Sequence, residues 1–170
     1  MPILFLLRHG KSSWDNPRLH DSERPLAKRG EQASRRMGAF MAERQYRPDL
    51  VLCSTAKRTR QTLELVLPSL ASAPPVHYED ALYLASSRAL LARLRQVRRA
   101  ERVLVVGHDP GLHELALELA AAGDPAELKA LAAKFPTCAL AVIALSRRDW
   151  AGLEPEEGRL VCFMTPKRLP

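Results

Sequence analysis

Ile3-Leu4-Phe5-Leu6-Leu7-Arg8-His9-Gly10 is the stretch whose reading decides the fold. An unbroken apolar run of about four to eight residues closed by a glycine predicts a strand buried on both faces, as in the centre of a parallel sheet. This run delivers an arginine and a histidine at its C-terminal end, where ligands collect in open α/β sheets. The pattern recurs in Arg102-Val103-Leu104-Val105-Val106-Gly107-His108, followed by Asp109-Pro110-Gly111. Two predicted strands each present an imidazole.

Between them lies Ser54-Thr55-Ala56-Lys57-Arg58-Thr59-Arg60-Gln61-Thr62, directly after the strand-like run Asp49-Leu50-Val51-Leu52-Cys53. Ser54 is a favourable helix N-cap, which would set Arg58 about one turn into a helix. Free N–H groups and partial positive charge at a helix N-terminus favour an anion. Arg8 and Arg58 add planar, bidentate donors that fit phosphoryl oxygens in a way lysine cannot. Either histidine alone reads as an ordinary strand-end residue. Together with the two arginines they read as a phosphate site, and paired imidazoles are surplus to a module that merely binds phosphate.

Arg8-His9-Gly10, Arg58 in a Ser-x-Ala-x-Arg-Thr-x-Gln-Thr run, and Gly107-His108, in that order, resemble the histidine phosphatase superfamily. Asp21-Ser22-Glu23-Arg24-Pro25-Leu26, followed by Arg29-Gly30, is similar to the loop that leads into a helix there. Within the superfamily, the short chain, Lys11-Ser12-Ser13-Trp14-Asp15 and Gly107-His108-Asp109-Pro110-Gly111 most resemble the SixA-type phosphohistidine phosphatases. The resemblance spans residues 3 to 111. It implies a phosphoglycerate-mutase-like fold in which His9 is the nucleophile and carries the phosphoryl group transiently before water releases it. Arg8, Arg58 and His108 would hold the equatorial oxygens, and Gly10 would let the chain approach the substrate closely; Lys11 and Ser12 are candidate substrate-binding residues that either touch phosphate or solvate the loop. A neutral His9 needs its other ring nitrogen fixed, which predicts donation to a backbone carbonyl. Neither a metal nor another cofactor enters that scheme.

The phosphomonoesterase branches place a carboxylate general acid two residues beyond a leucine after the third strand. Here that leucine is Leu82 and position 84 is again leucine; Glu79 and Asp80 stand nearby as alternatives. An alkoxide leaving group needs a proton donor far more than an imidazole does. The expected substrate is therefore a phosphohistidine-bearing protein, with a small phosphoryl ester as the alternative.

The chain has 170 residues, 46% of them hydrophobic, enough for one domain (1–170) with a sizeable core. No apolar stretch approaches the ~20 residues of a membrane span, and Met1-Pro2-Ile3 leads into a strand rather than a signal peptide, so a soluble, cytoplasmic protein is expected. The net charge of +7 comes with heavy arginine use, as in Arg93, Arg95, Arg98, Arg99 and Arg102. These read as a solvated helix face before they read as a funnel for an acidic partner. Arginines without interleaved aromatics do not suit nucleic acid. Cys53, Cys138 and Cys162 all fall in apolar runs, as buried free thiols in a reducing compartment would.

Strands are expected near 2–8, 49–53, 76–78, 102–107, 138–145 and 159–165, and helices near 28–45, 55–72, 86–98, 110–121 and 125–134. The alternation predicts a three-layer α/β/α sandwich with a mostly parallel central sheet. Its last two strands would form an antiparallel edge pair. Ser12 to Arg24 lacks periodicity and is expected to cover the pocket as a flap, with Trp14 read as its hydrophobic anchor ahead of the alternative, a substrate contact.

Overall fold

The computed structural model describes residues 1–170. In chain order it contains β1 (Ile3–Arg8), α1 (Lys28–Glu43), β2 (Leu50–Ser54), α2 (Lys57–Val66), β3 (Val76–Glu79), α3 (Ser87–Leu94), β4 (Arg102–Gly107), α4 (Gly111–Leu119), β5 (Ala120–Gly123), α5 (Pro125–Ala133), β6 (Leu140–Leu145) and β7 (Gly158–Met164). The strands form one sheet in the order β3-β2-β4-β1-β6-β7-β5. The β3–β2, β2–β4, β4–β1 and β7–β5 pairs are parallel, whereas β6 runs antiparallel to both β1 and β7.

The apolar character of the central strands follows from what covers them. Successive side chains of a strand point to opposite faces, and along β1 Leu4 and Leu6 join one core while Phe5 and Leu7 join the other. The first core is closed by Leu90, Leu91 and Leu94 of α3 and by Leu112, Leu115 and Leu119 of α4. Met37, Phe40 and Met41 of α1, with Leu63 and Val66 of α2, close the second. Both faces are dry, so no polar alternation remains in β1 or β4. This is the expected three-layer sandwich.

Several boundaries differ for identifiable reasons. α2 stops at Val66 rather than 72, because Pro68 lacks an N–H and restricts the residue before it; a short 3-10 turn, Leu67–Ser69, follows. The helix expected to reach residue 121 ends at Leu119. Ala120-Ala121-Ala122-Gly123 carries little β propensity, yet it pairs with β7 as a seventh strand. The expected edge pair is corrected accordingly: β6 and β7 are antiparallel, but β5 takes the edge and β6 lies inside against β1. No helix is long and apolar enough to cross a membrane.

Two glycines bring α1 onto the β1 exit. A Cβ on Gly10 would lie 2.8 Å from the Gly30 carbonyl oxygen, and one on Gly30 would run into the Lys11 backbone. Only glycine permits such an approach of backbone to backbone. The loop carrying His9 is thereby clamped against the first turn of α1.

Candidate active site

The two histidines meet because β1 and β4 are neighbours in register. Arg8 pairs with Gly107, and the His9 N–H donates to the Gly107 carbonyl at 3.2 Å. His9 and His108 therefore leave adjacent parallel strands in the same direction, with ring centroids 5.4 Å apart. Both rings are buried, as is Arg58. They face a cavity of about 240 Å³ that Arg8, Lys11, Ser12, Arg24 and Asp109 also line.

His9 Nδ1 lies 2.7 Å from the Gly10 carbonyl oxygen. A carbonyl only accepts, so Nδ1 carries the proton and the Nε2 lone pair is free. Burial is the main cause that pushes the His9 pKa down to about 4; the Gly10 carbonyl opposes it, while Arg58 and Arg8 add to it. His108 is pushed down to about 3 by burial, then by His9 and Arg58. Arg58 faces His108 Nδ1 at 3.4 Å, so the proton of the neutral ring sits on Nε2 and is donated to Ser54 Oγ at 2.8 Å.

These shifts make a prediction for pH. A histidine that acts as a nucleophile must be neutral, so with His9 in that role kcat/KM should hold as the pH falls from 7 to 5.5 and decline only near the His9 value of about 4. Initial rates on phosphoramidate, corrected for spontaneous hydrolysis, would show this; an acid limb centred near the ordinary imidazole value of about 6.5 would contradict it. Stability follows the same sign. Between about 6.5 and the depressed native values of about 4 and 3 the unfolded chain binds more protons than the folded one, so stability is lost as the pH falls through that window.

Arg58 is the second residue of α2, in its first turn. Its NH1 donates to the Asp21 carbonyl at 2.8 Å and its NH2 to Asp21 Oδ2 at 3.0 Å. The same carboxylate accepts from Arg24 NH1 at 3.2 Å and from the Tyr83 hydroxyl. The Tyr83 bond, then Arg58 and Arg24, hold Asp21 down at about 2 against the opposing effect of burial. Asp21 thus braces two guanidinium groups at the cavity wall. Arg8 NH1 donates to the Phe135 carbonyl at 2.9 Å, while its buried Nε has no partner.

All of the expected site residues gather here: Arg8, His9, Lys11, Ser12, Arg58 and His108 line the cavity, and Gly10 supplies the carbonyl that orients His9. The Ser54 expectation is corrected. α2 starts at Lys57 behind Ala56, without a side-chain cap, and Ser54 is the last residue of β2. Its hydroxyl serves His108 and the Ala56 N–H instead. Trp14 is also corrected: it is 68% exposed and anchors nothing in the core, but stacks on the Arg24 guanidinium, 3.1 Å from its ring centroid, at the cavity rim. Glu79 is held by Arg93 at 2.7–3.1 Å, and Asp80 accepts from Thr55 at 2.6 Å. Neither lines the cavity, whereas Leu84 does.

Asp21, Arg24, Tyr83 and Asp109 were not marked by sequence reasoning as part of the site. Asp109 stands directly after His108, and Asp21 and Arg24 stand in the block that leads to α1, so position along the chain was the available signal. Tyr83 gave none. The arginines of the solvated face behave as such: Arg93, Arg95 and Arg102 pair with Glu79, Glu154 and Asp49. The three thiols are buried and free, and burial pushes Cys53 and Cys138 up to about 12, which removes them as nucleophiles.

Residues 4–83 match the family model of the histidine phosphatase superfamily (branch 1). An uncharacterized protein of Mycobacterium tuberculosis (strain H37Rv) is 34% identical over 164 residues, covering 95% of this chain and 100% of that one. A candidate phosphohistidine phosphatase SixA of Agrobacterium tumefaciens is 31% identical and superimposes with a TM-score of 0.79, over 98% of this chain and 99% of that one. The protein histidine phosphatase SixA in its complex with tungstate is 28% identical, with a TM-score of 0.77 over 97% of each chain. Matches of this extent, around two buried histidines and their arginines, mean that the chain belongs to the histidine phosphatase superfamily.

Proposed function

We propose that the protein is a phosphohistidine phosphatase that works through a covalent intermediate on His9 and needs no metal. The observation that carries this is the Nδ1–H of His9 donated to the Gly10 carbonyl, which leaves Nε2 bare and facing a cavity lined by guanidinium groups. His9 Nε2 attacks phosphorus, the phosphorus–nitrogen bond of the substrate breaks, and the substrate imidazole departs neutral because its other ring nitrogen carries a proton. Water then attacks the phosphoryl group on His9, phosphate leaves, and the His9 ring is restored. Splitting the displacement in two lowers each barrier, while Arg8, Arg58 and His108 meet the charge on the equatorial oxygens, with Lys11 and Ser12 beside them.

The leucine at position 84 supports a phosphorus–nitrogen substrate, since an imidazole leaves without the acid that an alkoxide requires. Asp109, the carboxylate among the cavity-lining residues with a buried and unpartnered Oδ1, favours the second reading, a small-molecule phosphomonoesterase. No group of three His, Cys, Asp or Glu side chains converges to hold a metal ion, and arginine does the work on the oxygens. Three buried free thiols suit a reducing, cytoplasmic setting. The deciding experiment offers phosphohistidine to the protein after exhaustive chelation. Phosphate release at an unchanged rate is expected; no release overturns the substrate, and loss on chelation with recovery by a divalent ion overturns the metal-free mechanism.

A further inference from the structure

A second, larger hollow adjoins the catalytic cavity. It measures about 610 Å³ and runs between α1 and the 3-10 turn Pro166–Arg168. Lys11, Arg29, Arg35, Arg36 and Lys167 line it, and its lining contains neither a carboxylate nor an aromatic ring. All five cations are exposed, and none takes part in an ion pair. Elsewhere on the surface Arg93, Arg95, Arg102, Arg147 and Arg168 each hold a carboxylate. A cluster of like charges repels itself and gains only when an anion arrives.

We propose that this groove docks an acidic segment of the phosphorylated protein substrate. The proposal rests on the phosphohistidine reading above and names what the substrate must carry next to its phosphohistidine. Lys11 and Thr137 line both the groove and the catalytic cavity, so a chain whose side chain enters the small cavity continues directly onto the groove. Arg29 and Arg36 lie seven positions apart on one face of α1, a span of about 10 Å along the helix. That spacing suits carboxylates distributed along a peptide rather than one compact anion. The absence of aromatic side chains from the lining disfavours a nucleic acid, whose bases would need stacking partners.

The test uses two synthetic phosphohistidine peptides, identical except that one has Asp and Glu flanking the phosphohistidine and the other Asn and Gln. The acidic peptide should have a kcat/KM higher by about tenfold, and the advantage should shrink with added salt. Arg29→Glu/Arg35→Glu should erase that ratio while leaving phosphoramidate turnover unchanged, because neither residue lines the catalytic cavity. Arg36 is left intact, since it also donates to the Leu169 and Pro170 carbonyls. Arg29→Gln/Arg35→Gln, a milder variant, should give an intermediate ratio. Equal rates on the two peptides, or a ratio that survives charge reversal, would overturn the docking surface.

If neither peptide is hydrolysed, the functional reading fails instead. Fluorescence anisotropy of the unphosphorylated acidic peptide then decides the groove: binding weakened by charge reversal sustains it, and no binding to the unaltered protein ends it. Tighter binding of a single-stranded oligonucleotide of equal charge would also end the assignment to a peptide.

Discussion

His9→Ala is expected to lower kcat by at least about four orders of magnitude, the scale on which losing a nucleophile that acts with its neighbours removes their joint effect. The fold should survive. Alanine loses the Nδ1–H bond to the Gly10 carbonyl, but three bonds made by the backbone hold the chain here: His9 N–H to Gly107, Cys138 N–H to the His9 carbonyl, and Gly10 N–H to Thr62 Oγ1. Alanine keeps all three. In the unaltered protein, brief exposure to labelled phosphoramidate should leave an acid-labile, base-stable label on His9. Label on His108 with His9 bare would reverse the roles of the two rings, and full activity in His9→Ala would remove the covalent step altogether.

The other large effect lies in substrate choice. General acid help is worth on the order of 10²–10⁴ in rate, and position 84 offers none. Phosphoramidate and phosphohistidine should therefore exceed alkyl phosphates by about 10² or more in kcat/KM, with aryl phosphates between. Leu84→Glu should narrow the gap by raising ester hydrolysis. Leu84 is already 55% exposed at the cavity and sits at φ 49°, so the backbone cost is borne before the substitution and no apolar core is opened. Glu79→Gln and Asp80→Asn should change neither activity, because those carboxylates are held by Arg93 and Thr55. Alkyl phosphates as the better substrates, silenced by Asp109→Asn, would identify Asp109 as the acid and select the monoesterase reading.

How much of this was legible depended on the kind of signal. β1 and β4 were readable because strands covered on both faces lose all polar residues, and their histidines were readable because they follow such runs immediately. Arg58 came with them through its motif. Ser54 was recognised as a residue of interest but given the wrong partner: a cap is a local property, whereas its bond to His108 crosses from β2 to the end of β4. The brace of Asp21, Arg24 and Tyr83 joins two loops without periodicity, and no local pattern encodes it. β5 was missed because four small residues after a helix look like more helix; only pairing with β7 makes them a strand. Trp14 was misjudged because a large aromatic side chain predicts burial on average, and here a guanidinium covers one face while the rest meets solvent.

The placement of the two histidines on adjoining central strands also governs which parts of the site can move. His9 follows a strand paired on both sides, donates its own N–H to the Gly107 carbonyl and accepts from the Cys138 N–H, so its backbone is held more firmly than any loop at the cavity. Residues 12–26 are different: they have one isolated bridge, Ser12 to Leu26, and are tied to the rest of the molecule by side chains, through Asp21 to Arg58 and Tyr83 and through the Leu26 N–H to Gln61. Amide exchange along 12–26 should therefore run ahead of exchange in β1 and β4, because that segment can open while the sheet stays paired.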